Sequence, residues 1–219
     1  MQANYGAIAK LLHRLALNNK NTAALSFEMD QNRVPDNREV IRGGHIFVSG
    51  LARSGTTILM RLLHSTGKFA SLTYQNMPFV LAPNSFDWLS AGSGKTASLQ
   101  MRAHDDGILV GFNSPEAFED VFWRVFDGDR YIKSDHLALH APPNDTLENF
   151  VKYISAILYA DVKRSERYLS KNNNNILRLE ALAKVFPSSI ILIPFRAPID
   201  HARSLLRQHI NFSHQQADD

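Results

Sequence analysis

The stretch Phe47-Val48-Ser49-Gly50-Leu51-Ala52-Arg53-Ser54-Gly55-Thr56-Thr57-Ile58-Leu59 constrains this chain more than any other. A β-prone run, residues 45–49, enters a loop with two glycines, and a helix opens at Ser54 or Gly55. Ile58, Leu59, Leu62 and Leu63 recur at helical spacing and read as its core face, and Gly67 ends it. A strand feeding directly into a helix needs a sheet to lie in and a layer to pack against, which is the unit of α/β folds. The same context makes an anion nest. Backbone N–H groups at the helix start converge on a phosphate, and the helix dipole favours negative charge there. Gly50 and Gly55 are spaced as in the loops of nucleoside-triphosphate-hydrolysing proteins, but Thr56 stands where Gly-x-x-x-x-Gly-Lys-Ser/Thr requires lysine. The cation sits instead at Arg53, inside the loop, which argues against triphosphate hydrolysis.

Strands and helices alternate along the rest of the chain. Ile8, Leu11, Leu12 and Leu15 predict an amphipathic helix over 5–18, residues 29–44 a loop, and residues 68–74 a second strand. After Pro142-Pro143, Asp145 and Glu148 make a capping-box-like start to a helix carrying Leu147, Phe150, Ile154, Ile157, Leu158 and Val162 to about residue 164. A short strand at 167–170, a helix at 174–186, a buried strand at 189–195 and a helix from Pro198 to about 210 follow. This order predicts a P-loop-like three-layer α/β sandwich around a central, mostly parallel sheet, in one domain over 1–219. Residues 75–143 read as an irregular insertion facing the acceptor; residues 75–115 are broken by prolines and glycines, and 116–126 form a short helix rich in Phe and Trp.

Composition narrows the classes. Hydrophobic residues at 44% and charged residues at 21% exclude a largely disordered chain. The absence of cysteine excludes a disulfide scaffold, cysteine-bound zinc, iron–sulfur clusters and a thiol nucleophile, and makes the cytoplasm the expected location. A formal charge of +3 suits a small anion as well as a nucleic acid and decides little. The longest strongly apolar stretch, 190–195, is far below the ~18 residues of a membrane span. No metal site is expected.

Arg53-Ser54-Gly55-Thr56-Thr57-Ile58-Leu59 resembles the 5′-phosphosulfate loop of sulfotransferases that use 3′-phosphoadenosine 5′-phosphosulfate (PAPS), which reads broadly as Arg/Lys-x-Gly-Thr-Thr/Ser-x-Leu after the first strand. The resemblance implies that Arg53 contacts the bridging and sulfuryl oxygens, and that Ser54, Gly55, Thr56 and Thr57 bind the 5′-phosphate. A second stretch matches in sequence order. The run 190–195 leads into Arg196-Ala197-Pro198, and Ser204 follows on the next helix. Sulfotransferases place such an Arg-x-Pro and Ser around the cofactor 3′-phosphate, where an arginine fork and a hydroxyl both donate. Lys171 resembles a strand-end lysine that some carbohydrate sulfotransferases direct at cofactor or acceptor. The resemblance spans about 5–212 and implies PAPS as cofactor, a small-molecule or carbohydrate acceptor and no nucleic acid. Sulfotransferases generally continue past the Arg/Ser helix, so the domain is expected to lack a C-terminal part.

Two features depart from the pattern. Ala91-Gly92-Ser93-Gly94-Lys95-Thr96 looks like an ATP loop, but Leu89 stands where its first glycine should be, so it reads as a glycine loop. Many sulfotransferases also carry a carboxylate base about twenty residues beyond the phosphate loop, to take the acceptor proton. Here that neighbourhood is Gln75-Asn76, and neither amide is a base. His104, beside Asp105 and Asp106, is the first substitute. Glu116 and Glu119 come next, though both read more simply as first-turn charges complementing a helix dipole. The competing function is a non-catalytic adenosine bisphosphate-binding module or an inactive truncated homologue.

Overall fold

The computed structural model describes residues 19–77, 79–85, 100–101, 109–110 and 113–217. The helix expected over 5–18, the glycine loop at 91–96 and His104 lie outside the described residues. Six helices are described: α1 (Lys20–Gln31), α2 (Thr56–Ser65), α3 (Glu119–Tyr131), α4 (Asn144–Ala160), α5 (Leu179–Val185) and α6 (Pro198–Ala217). The strands are β1 (Ile46–Val48), β2 (Gln100–Met101), β3 (Leu109–Val110), β4 (Leu169–Lys171) and β5 (Ile190–Leu192). β1, β4 and β5 form a parallel sheet in the order β4-β1-β5, with Val48 level with both Lys171 and Leu192. β2 and β3 pair antiparallel on their own.

The period-2 alternation of the strands decides what covers each face. Phe47 and Tyr168 point to one side, into a cluster with Phe122, Trp123, Phe150 and Phe186 from α3, α4 and the end of α5. Ile46, Val48 and Leu169 point to the other, where Met60, Leu59 and Leu63 of α2 pack on them. Helices on both faces of a parallel sheet make the three layers expected. The larger cluster is rich in aromatic rings: Phe150 lies 4.4 Å from Trp123 and 5.1 Å from Phe122 between ring centroids.

Several local expectations differ from what is observed. α2 buries Met60 and turns Ile58 and Leu62 outward, 65% exposed each, so four of its apolar positions do not share one core face. Residues 68–74 form no strand; they bridge β4's lead-in once, Ala70 with Tyr168, and Thr73 bridges Pro115. The strand expected as buried at 189–195 is three residues long, lies at a sheet edge, and leaves Ile190, Ile193 and Phe195 exposed. α4 begins without a side-chain cap, because its N-cap is Pro143; Asp145 lies inside the first turn and accepts from the adjacent Thr146 N–H. Val162 lies beyond its end and is exposed. The helix expected at 174–186 is divided into a 3-10 turn, Asn173–Leu177, and α5.

Glu119 corrects the reading of a dipole charge. It is 2% exposed and accepts from Trp123 Nε1 (3.0 Å), Asn175 Nδ2 (2.7 Å) and Tyr168 OH (3.2 Å). Asn175 Oδ1 in turn takes Arg178 Nη1 at 2.7 Å, and Arg178 Nε donates to His140 Nδ1 at 2.8 Å. The Arg178 guanidinium lies 4.5 Å from the Trp123 ring centroid and 4.8 Å from that of Tyr131, so much of its charge is met by π-faces. Because His140 Nδ1 accepts from Arg178, its proton is on Nε2, which donates to Asp127 Oδ2 at 2.7 Å.

Burial pushes the His140 imidazole below its ordinary 6.5; the Asp127 hydrogen bond opposes this and the Arg178 charge adds to it. Burial lowers His45 as well. In the folded state both rings bind a proton less readily than in the unfolded chain. Stability is therefore full above about pH 6.5 and falls as the pH drops below it. Urea denaturation at pH 7.5 and pH 5.5 should show a lower midpoint at the acid pH, and His140→Gln should reduce the difference.

Candidate functional site

Every group of interest stands at the end of the sheet where β1, β4 and β5 finish. The parallel register puts Val48, Lys171 and Leu192 level, so the three following loops open side by side. The β1 loop is the tightest. Ser49 N bonds Leu192 O at 2.9 Å, keeping the strand paired one residue further. Gly50 then turns with φ of +120°, and a Cβ there would lie 3.4 Å from Pro194 O and 3.5 Å from the Ile193 side chain. Ser54 closes the loop on itself, Oγ to Leu51 O at 2.7 Å. Gly55 has φ of +101° and caps α2 with no side-chain hydrogen bond. A Cβ on Gly55 would meet no atom within 4 Å, so the space over the helix start is open. An uncapped helix N-terminus facing open space leaves backbone donors free of side-chain caps, as an anion nest requires.

Arg53 has φ of +68°, a conformation uncommon for a residue with a side chain. Its Nε donates to Ser204 Oγ at 3.2 Å, across 151 positions of sequence. Arg196 Nη1 donates to Arg53 O at 3.4 Å, and His201 Nε2 donates to Ala52 O at 2.6 Å. The loop carbonyls are thus drawn toward α6 and its lead-in. The two stretches singled out in the sequence for phosphate binding are hydrogen-bonded to each other in space.

Lys171 ends β4 beside this loop. Its side chain and that of Glu116 are 8% and 10% exposed, with Nζ 3.8 Å from Glu116 Oε1. Glu116 also accepts from Ala117 N at 3.0 Å and from Tyr74 OH at 3.3 Å. Thr56 Oγ1 donates to Asn173 Oδ1 at 3.4 Å, tying the start of α2 to the β4 loop. Ser49 Oγ and Asn172 Nδ2, each just past a strand end, are buried and make no hydrogen bond among the described residues. Buried donors without partners beside three cations and an uncapped helix start fit a group rich in anionic oxygens. Among the described residues no side chains are grouped to hold a metal ion, and no helix is long and apolar enough to cross a membrane.

Of the residues singled out from sequence, Arg53, Ser54, Gly55, Thr56, Thr57, Arg196, Ser204 and Lys171 all lie at this end of the sheet. Glu116, which first reads as a helix charge, lies beside Lys171 at this end of the sheet. His201 carries no motif and was not legible, and Tyr74 reads only as part of the Leu72-Thr73-Tyr74 stretch that resembles a bacterial-type sulfotransferase group, with no role of its own. Asn76 acts structurally, since its side chain accepts from Thr73 N at 2.8 Å and completes a capping box with Thr73.

Comparison with known proteins agrees with the geometry. Residues 45–219 match the model of the sulfotransferase family. No curated protein matches the sequence. Among solved structures, sulfotransferase STF1 from Mycobacterium tuberculosis H37Rv has a TM-score of 0.52 at 16% identity, over 89% of this chain and 57% of that one. Sulfotransferase STF9 from Mycobacterium avium has a TM-score of 0.56 at 18% identity, over 91% of this chain and 55% of that one. At these identities the likeness is one of fold, and the chain spans 55% to 57% of the lengths of the structures it matches.

The loop geometry makes its own prediction. Gly55→Ala should lose about 1–2 kcal/mol in urea denaturation, because a Cβ is strained at that positive φ although it meets open space. Gly55→Asn should lose less, since asparagine tolerates the left-handed region better.

Proposed function

The chain belongs to the sulfotransferase family, and we propose that it carries out, or forms the donor-binding part of a protein that carries out, sulfuryl transfer from PAPS to an acceptor hydroxyl. The observation that carries this reading is the Arg53–Ser204 hydrogen bond with Arg196 on the Arg53 carbonyl, which joins the two phosphate-binding stretches. When bound, PAPS supplies the sulfuryl group. The amides of Gly55, Thr56 and Thr57 with Ser54 receive the 5′-phosphate, where the α2 dipole adds to their donors. Arg196 and Ser204 receive the 3′-phosphate. Arg53 and Lys171 place positive charge where negative charge develops as the 5′-phosphate departs. The acceptor, a carbohydrate or another small molecule, enters along residues 75–143. The absence of cysteine supports a reducing, cytoplasmic setting. The exposed edge at β5 supports a domain that a further C-terminal part completes.

The acceptor proton needs a base. His104 is one candidate. Glu116 is favoured by its contacts: the Thr73–Pro115 bridge and the Tyr74 N to Ser114 O bond (3.3 Å) bring its carboxylate beside Tyr74 and within 3.8 Å of Lys171. A carboxylate thus reaches the neighbourhood where Gln75 and Asn76 offer none.

Thermal-shift titration tests donor binding. Adenosine 3′,5′-bisphosphate near saturation should raise Tm by several degrees, as about 2.7 kcal/mol of linkage at a hundredfold excess over Kd implies for a domain of this size. Arg53→Ala and Arg196→Ala should each remove most of the shift; preferential stabilisation by ATP would sink the reading. For the chemistry, Glu116→Gln should lower kcat at least a hundredfold with little change in bisphosphate affinity. If His104→Ala does this and Glu116→Gln does not, His104 is the base. Bisphosphate binding without turnover on any acceptor would favour a non-catalytic module.

A further inference from the structure

α6 meets the phosphate loop through residues that lie close together in sequence. Arg196 leads into the helix, His201 sits in its first turn, and Ser204 follows three positions later on the same face. Pro198 opens the helix, and Asp200 N and His201 N both bond Ala197 O, at 3.0 Å each. The His201 backbone therefore belongs to a formed helical turn. Its Nε2 lies 2.6 Å from Ala52 O, across 149 positions of sequence. A carbonyl oxygen only accepts, so this nitrogen carries a proton whether the ring is neutral or charged.

The three consecutive carbonyls of the loop are each bound by a different group. Leu51 O takes Ser54 Oγ at 2.7 Å, Ala52 O takes His201 Nε2, and Arg53 O takes Arg196 Nη1 at 3.4 Å. In a trans peptide the C=O points opposite to the N–H of the next residue. Binding the Ala52 carbonyl to α6 thus turns the Arg53 N–H away from α6. An anion nest needs N–H groups turned in and C=O groups turned out, and one flipped peptide would set an oxygen against the anion. Arg53 sharpens the constraint, since its φ of +68° persists only where the surroundings fix it. The peptides on its two sides are pinned from the α6 stretch, 52–53 by His201 and 53–54 by Arg196.

These groups differ in what else they must do. In the function proposed above, Ser54 and Arg196 turn to phosphate oxygens when the cofactor binds, and Ser204 gives up Arg53 for the 3′-phosphate. His201 has no such second task, and its bond is the shortest of the three to the loop carbonyls. We propose that His201 is a positioning residue for cofactor binding. Its Nε2–H holds the Ala52–Arg53 peptide in the orientation that receives the 5′-phosphate, while the other contacts between the loop and α6 are exchanged for the ligand. It touches no phosphate itself. This role rests on the cofactor-binding reading, but the hold on the loop is measurable without a ligand.

Calorimetric titration with adenosine 3′,5′-bisphosphate and with adenosine 5′-monophosphate tests it, together with amide hydrogen exchange of residues 52–57 in the unliganded protein. His201→Ala should weaken both nucleotides by the same factor, roughly tenfold, about the worth of one hydrogen bond. It should also speed exchange at 52–57, while residues 46–48 and 169–171 keep their wild-type protection. His201→Gln, whose amide donates to the same carbonyl, should bind both nucleotides nearly as the wild type does. Arg196→Ala should instead weaken the bisphosphate far more than the monophosphate. Unchanged affinity in His201→Ala would overturn the proposal. So would equal losses in the alanine and glutamine variants, because ring packing and not the hydrogen bond would then be at work. A loss confined to the bisphosphate would place His201 at the 3′-phosphate, and protection lost in the strands as well would make the contact one of general stability; either overturns the role. If the wild type binds neither nucleotide, the cofactor reading fails by itself. Exchange at 52–57 then decides, and unaltered exchange in His201→Ala would overturn the hold on the loop.

Discussion

Parallel, in-register pairing of three short strands is the constraint on which the rest of the structure rests. Each strand has only three residues, so the sheet is barely more than one row of hydrogen bonds deep. Yet that register sets Val48, Lys171 and Leu192 side by side. Were β4 slipped by one residue, Lys171 would exchange faces and the lysine would leave the loop. The placement of the candidate site residues thus depends on backbone hydrogen bonds that involve none of their side chains. It also explains why distant stretches of sequence converge, since parallel strands deliver their following loops to one end of the sheet.

What fixes so small a sheet is the packing on its faces. The aromatic cluster around Phe47, Phe150 and Trp123 supplies the apolar burial, and the Glu119–Asn175–Arg178–His140–Asp127 chain runs along its border. A buried network of this kind adds little net stability when satisfied, but it is costly to break. Its value is geometric. Tyr168 OH on Glu119 anchors the residue before β4, and Asn175 and Arg178 anchor the turn after it. β4, which carries Lys171, is held at both ends by side chains that never reach the site.

The parts of this architecture that were legible in sequence are those specified by neighbours in the chain. Phe47 to Leu59 declares a strand, a turn and a helix within thirteen positions, and Arg196-Ala197-Pro198 declares a strand end and a helix start within three. Glu119 was not legible, because a glutamate in a first helical turn looks the same whether it faces a dipole or a buried tyrosine. Its partners Tyr168 and Asn175 lie 49 and 56 positions away. Ile58 and Leu62 misled for the converse reason: periodicity shows that a face is apolar but not that something covers it. The run 190–193 misled in the same way, since a buried central strand and an unprotected edge strand share a composition.

The amides at 75 and 76 show how sequence position and spatial position come apart. Counting along the chain from the phosphate loop finds no carboxylate where one is wanted. In space, the segment 113–116 lies against 72–74 through the Thr73–Pro115 bridge and the bonds from Tyr74 N to Ser114 O and from Glu116 N to Leu72 O. Asn76 is occupied in capping that same turn, which holds Tyr74 where its hydroxyl reaches Glu116. The amide therefore supports the shelf that holds a carboxylate supplied from elsewhere. A search confined to spacing finds only amides there, whereas hydrogen bonding brings the Glu116 carboxylate into the same neighbourhood.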